Sequence, residues 1–189
     1  MKRLILTIIV ISLGFTAAAQ QEHFKFKGIE MNCSVDTFVG KLLSQGFEYA
    51  ETNEDNLPIL RGEFSGDKCL LTVLDNLDGL VCGVLLFLDY NDCSWGTILD
   101  GLEYYEDGLT KKYGRPKKVV KRFKYPYKKG SGYELAGFRL GKNSYNIHWE
   151  TNTGRIGLGF ASAQNTAIFL TYIDKANTEA DAEREFEDL

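Results

Sequence analysis

The pattern Cys-Ser-x-x-Thr occurs twice, at Cys33-Ser34-Val35-Asp36-Thr37 and at Cys93-Ser94-Trp95-Gly96-Thr97, 60 residues apart. A thiol placed just ahead of a helix has its thiolate stabilised by the positive end of the helix dipole, the setting of a redox centre or a nucleophile. A nucleophile also needs a base. The chain has two histidines, His23 and His148, and neither lies near either cysteine in sequence; there is no Cys-x-x-Cys. No catalytic residue is therefore assigned. The even set Cys33, Cys69, Cys82 and Cys93 instead suits disulfide bonding in an oxidising compartment, with three pairings left open and buried free thiols as the alternative. A Cys69–Cys82 bridge is disfavoured. A turn at Asn76–Gly79 sets Cys69 opposite Leu86 and Cys82 opposite Val73, too far out of register for their sulfurs to bond.

Other chemistry finds little support in the residues. The two histidines have no zinc-ligand spacing, so no metal and no cofactor is expected. The chain lacks a Gly-x-Ser-x-Gly elbow and a P-loop, and Gly154-Arg155-Ile156-Gly157-Leu158-Gly159 reads as a strand with close neighbours. A hydrolase using paired carboxylates is the enzymatic alternative, since Asp and Glu are the abundant acid/base groups. Charge is more informative. Between Lys111 and Lys129 there are ten basic residues and no acidic one, in a chain of net charge −4. Lys117, Lys118, Lys121, Arg122 and Lys124, interleaved with Phe123, Tyr125 and Tyr127, form a candidate binding segment for an anionic polymer or an acidic protein surface. Two structural roles compete with that reading. The lysines could keep a strand edge from pairing, or they could face the acidic helix surface of Asp100, Glu103, Glu106 and Asp107.

The elements that must carry these residues follow from periodicity. Ser34 and Ser94 are suited to cap two helices. The first has Phe38, Leu42 and Leu43 on one face and stops at Gly46. The second has Ile98, Leu102, Tyr105, Leu109 and Tyr113 on one face and stops at Gly114, before Pro116. Strands are expected at Phe47–Thr52, Pro58–Phe64, Lys68–Asp75 and Leu80–Asp89. A second series is expected at Lys118–Tyr127, Tyr133–Leu140, Ser144–Thr151, Arg155–Ala161 and Ala167–Ile173. The class is α+β, an antiparallel sheet with helices packed on one face, built from two βα(β)n units at about 24–89 and 84–174.

The chain opens with Met1-Lys2-Arg3, an apolar run Leu4–Phe15 and small residues to Ala19. That order predicts a signal peptide over 1–19, a single domain over 20–176, and an acidic helix or frayed tail over 177–189. The protein is expected in the periplasm or secreted, with no membrane span after cleavage and no nucleic acid as partner. An apolar content of 44% excludes a disordered chain.

The repeated helix-plus-strands layout in an exported chain resembles the architecture of the β-lactamase inhibitor protein. Phe26-Lys27-Gly28-Ile29, Gly46-Phe47 and Lys112-Tyr113-Gly114-Arg115-Pro116 are similar to segments of exported proteins of unknown function from Bacteroides-type bacteria. The resemblance implies a fold and a compartment. It carries over no functional residue, because no contact motif of the inhibitor is matched. The expected function is that of a non-enzymatic binding module recognising a protein or an anionic envelope glycan or lipopolysaccharide through its sheet face and basic segment. A structural envelope protein without a small ligand is the further alternative.

Overall fold

A turn at Lys27-Gly28, both with positive φ, folds β1 (Lys25–Phe26) onto β2 (Ile29–Glu30) as a separate two-stranded hairpin. The computed structural model describes residues 22–162 and 166–187, so the expected signal peptide lies outside the described residues. Helix α1 (Val35–Ser44) follows, capped by Ser34, whose Oγ accepts the Thr37 N–H. The chain then meanders through β3 (Glu48–Thr52), β4 (Pro58–Phe64), β5 (Asp67–Asp75) and β6 (Val81–Asp89). Helix α2 (Trp95–Tyr113) is capped by Ser94 in the same way and ends at Gly114, where a φ of 84° suits a residue without a side chain. After it come β7 (Lys118–Arg122), α3 (Glu134–Arg139), β8 (Ser144–Glu150), β9 (Gly154–Ser162), β10 (Thr166–Asp174) and α4 (Lys175–Glu187).

Eight strands form one antiparallel sheet in the order β3-β4-β5-β6-β10-β9-β8-β7. The last strand of each meander meets the other at the centre, where Leu86 pairs with Leu170. The class is thus α+β with an antiparallel sheet. The opening strands of the two Cys-Ser-x-x-Thr segments differ, however. Lys25–Phe26 sits in the small hairpin, whereas Val84–Leu86 runs through the middle of the large sheet.

One face of the sheet is the core. Leu60, Leu71, Leu86, Leu170, Leu158 and Ile147 stand in register across six strands, each no more than 1% exposed. Burial of side chains of this size is worth about 1.5–3 kcal/mol apiece. Helix α1 packs on β5, α2 on β8, β9 and β10, and α3 on β9. The sheet's end is closed by polar bonds. Asp174, fully buried, caps α4 by accepting the Asn177 N–H at 2.8 Å, and it also accepts the Phe24 N–H and faces His23 Nδ1 at 3.1 Å. Asn177 donates to the carbonyls of Met31 and Val81 at 2.6 and 2.8 Å. The N-terminal hairpin, β6 and the C-terminal helix are joined through these two residues.

Three expectations need correction. Tyr133–Leu140 is not a strand. Glu134–Arg139 forms a helix, with Phe138 buried against Phe160 and Trp95. The strand expected to reach Tyr127 ends at Arg122, because Asn143 Oδ1 takes the Lys124 N–H and turns the chain out of the sheet. No disulfide forms among Cys33, Cys69, Cys82 and Cys93; all four thiols are free. Cys33 and Cys93 lie at the starts of different helices, and Cys69 pairs with Leu88, two residues beyond the expected register. Burial pushes the Cys69 and Cys82 thiols up to about 11, which keeps both protonated at neutral pH.

Removing the amide of Asn177 leaves two buried carbonyls without donors. Asn177→Ala is expected to lower the unfolding free energy by about 2–3 kcal/mol in denaturant titrations, whereas Glu179→Ala on the exposed side of α4 changes it by less than about 0.5 kcal/mol.

Candidate binding face

Alternation along each strand leaves a second sheet face that α1, α2 and α3 do not cover, and its composition is unusual for a solvated surface. Arg61, Leu70, Phe87, Phe169, Gly159 and Asn146 form one row in register across it. Ile59, Thr72, Leu85, Thr171, Gly157 and His148 form the next. Leu70 is 44% exposed and Phe87 38%, with Leu85 and Phe169 half-buried beside them. An apolar band therefore crosses the central strands in the open.

Two of the three glycines of β9, Gly157 and Gly159, set the relief of this face. A side chain at Gly159 would run into the Phe169 ring and come within 2.8 Å of Asn146 Oδ1. One at Gly157 would lie 2.5 Å from Thr171 Oγ1. Their absence lets Phe169 and Thr171 lie down over β9. Across β3–β6 the same face forms a hollow of about 1320 Å³, lined in part by Ile59, Arg61, Leu70, Leu85 and Phe87. A second hollow of about 740 Å³, near the other edge, is lined by Lys117, Lys118, His148, Glu150, Arg155 and Thr171 among others.

The basic segment is divided among several environments. Lys118 and Arg122 project from the edge strand on the open face, opposite His148 and Ser144. Lys117 pairs with Glu150. Lys121 pairs with Glu106 of α2 at 2.5 Å while its ammonium lies 4.9 Å from the centre of the Tyr145 ring. The Tyr145 hydroxyl donates to the same carboxylate at 2.7 Å, and burial pushes its pKa upward. This part of the segment faces the acidic side of α2. Phe123 packs edge-on against Trp95 and Phe138. Tyr127 is half-buried, and its carbonyl accepts from Asn143. Lys124 and Tyr125 remain on the outer surface. The eight residues thus do not converge on one site.

The apolar band was not among the residues singled out from the sequence. Its signal lies in Val84-Leu85-Leu86-Phe87-Leu88, which is apolar at every position. Such a run departs from the apolar/polar alternation expected of a strand with one wet face. Among the described residues, no three or more His, Cys, Asp or Glu are grouped so as to hold a metal ion. None of the helices among those residues is long and apolar enough to cross a membrane.

Two expectations follow. Gly159→Val displaces the Phe169 ring, at a cost of about 1–3 kcal/mol in unfolding experiments, with altered Phe169 ring resonances. Hydrogen bonds from Lys117 and then Lys175 hold the Glu150 carboxyl down at about 2. Because the folded-state value is depressed, the stabilisation is full above the ordinary carboxylate range and is lost as the pH falls towards 2. Carboxyl NMR titration is expected to find that low midpoint, and Lys175→Met is expected to raise it.

No family model, curated protein or solved structure matches the chain.

Proposed function

We propose that this chain is an exported, non-enzymatic binding module that holds a protein partner against the open face of its eight-stranded sheet. One observation carries the reading. Leu70, Leu85, Phe87 and Phe169 form a contiguous apolar band on a face that α1, α2 and α3 leave uncovered. Exposed apolar patches of this kind, rimmed by polar groups, are a mark of protein interfaces. The rim is supplied by Arg61, Glu63 and Lys68 at one side and by Lys118, His148 and Arg155 at the other. Phe87 and Phe169 are the natural anchors, because large side chains desolvated at the centre of an interface dominate its energy. Export rests on the N-terminal sequence, with its cationic start, apolar run and small residues before Gln20.

An exposed apolar band favours a protein over an anionic polymer as the main occupant. Lys117 and Lys121, two of the cations expected to recognise a polymer, are engaged with Glu150 and Glu106.

Photo-crosslinking in the producing cell tests the reading. A photoreactive residue at Phe87 is expected to give a discrete protein adduct, and the same residue at Asp107, exposed on α2, is expected to give none. Combining Phe87→Asp with Leu70→Asp is expected to weaken binding of the captured partner by about 30-fold or more, the effect of losing one anchor of about 2 kcal/mol. Equal adducts from both positions, or undiminished binding by the double variant, would refute an interface on the open face.

A further inference from the structure

Between β7 and β8 the chain builds a small lobe on the helix side of the sheet, fixed there by Phe138 against Trp95 and Phe160 with ring centroids 5.2 and 4.8 Å apart. Beside that apolar anchor, the buried polar side chains of the lobe, Asn143 and Glu134, are engaged. Asn143, buried, donates to the carbonyls of Tyr127 and Glu134 at 2.9 and 3.1 Å, and accepts the Lys124 N–H at 3.0 Å. Glu134, the single acidic residue between Lys124 and Lys142, is 3% exposed, and it accepts the Gly130 N–H. The negative charge of the lobe is turned inward and used.

The outer surface has the opposite character. Lys124, Lys128, Lys129, Arg139 and Lys142 are all exposed, and none of them forms an ion pair among the described residues. Set among them are Tyr125 at 87% exposure, Tyr133 at 65% and Leu140 at 58%. Cations with amphipathic rings and an exposed leucine make up the composition of a surface that rests in the headgroup layer of a bilayer.

We infer that this lobe docks the protein on an anionic phospholipid surface. The five cations face the lipid phosphates, and Tyr125, Tyr133 and Leu140 enter the interface between headgroups and acyl chains. Charge complementarity selects the orientation. Outside the Lys111–Lys129 stretch the chain is predominantly acidic, so an anionic membrane repels most of the molecule and attracts this side. A soluble polyanion would be satisfied by the cations alone. Exposed Leu140 and the two tyrosines are what a lipid surface uses and a hydrated polysaccharide does not. The lobe lies on the opposite side of the sheet from Leu70 and Phe87, so membrane contact leaves the open face free.

Vesicle co-sedimentation at physiological salt tests the inference. The probes are phosphatidylcholine vesicles with and without about 30 mol% phosphatidylglycerol, and a sulfated polysaccharide. The unaltered chain is expected to bind the anionic vesicles and not the neutral ones. Binding is expected to fall by about tenfold or more in Lys124→Ser/Lys128→Ser/Lys129→Ser, and equally in Tyr125→Ala/Tyr133→Ala/Leu140→Ser. All of these variants carry the same N-terminus, so any contribution from the leader cancels. Hydrogen exchange on the unaltered chain provides a readout that needs no variant. Amides of 124–133 and 139–142 are expected to gain protection with anionic vesicles alone. The inference is overturned by equal binding to neutral vesicles, or by protection arising elsewhere on the chain. It is also overturned if the aromatic variant binds unchanged while the lysine variant loses vesicle and polysaccharide together, which would mark a general polyanion site.

Discussion

The backbone pairing of β6 with β10 sets almost everything else in this molecule. Those strands are the last of their respective meanders, and through them two four-stranded ribbons become one eight-stranded sheet. On one side the pairing brings Val84, Leu86 and Leu88 beside Tyr172, Leu170 and Ile168, the middle of the core. On the other side it brings Leu85 and Phe87 beside Thr171 and Phe169, the middle of the open band. Because side chains alternate along both strands, closing the core and building the exposed band are one event. A slip of one residue at this pair would exchange the two faces.

Polar groups then fix what the apolar rows leave free to move. Asp67 accepts from the hydroxyls of Tyr90 and Tyr105 at 3.0 and 2.7 Å, which holds α2 over β5 and the end of β6. At the other side of α2, Glu106 meets Lys121 and Tyr145, tying the helix to β7 and β8. Asp174 and Asn177 do the same for the chain's two ends. Each carboxylate or amide here serves at least two partners, so the loss of one group strands several others. These few buried or half-buried polar groups thus hold separate elements together at the edges of the apolar core.

Much of the fold is legible in the residues. Ser34 and Ser94 cap the helices they were expected to cap, Gly46 and Gly114 follow them, and Pro58–Phe64 is a strand over that very span. These features depend on local geometry, which short segments encode. Tyr133–Leu140 is a helix although its two ends, Tyr133-Glu134-Leu135 and Phe138-Arg139-Leu140, each show a spacing of two, because so short a segment does not carry enough periodicity to decide. The decision comes from Asn143 and Gly130, which bind Glu134 from outside the segment. The thiols stay unpaired because of strand register and helix placement, long-range facts that no count of cysteines contains. The open band was hidden for a related reason. Phe87 and Leu88 are alike in sequence, and only the packing of helices on one side decides that Leu88 is buried and Phe87 is not.

The strand order also bears on how such a chain can reach its folded state. As synthesis proceeds, β3 to β6 can assemble early from local hairpins, but β10 must separate β6 from β9 and is the last strand made. Until it arrives, β6 offers an unpaired edge of Val84-Leu85-Leu86-Phe87-Leu88, apolar on both faces and open to pairing with any neighbouring chain. The interval between making residue 89 and residue 174 is therefore the period of greatest exposure to misassembly. A chain kept unfolded by a chaperone during that interval passes through it safely, because its two halves meet only once both are complete.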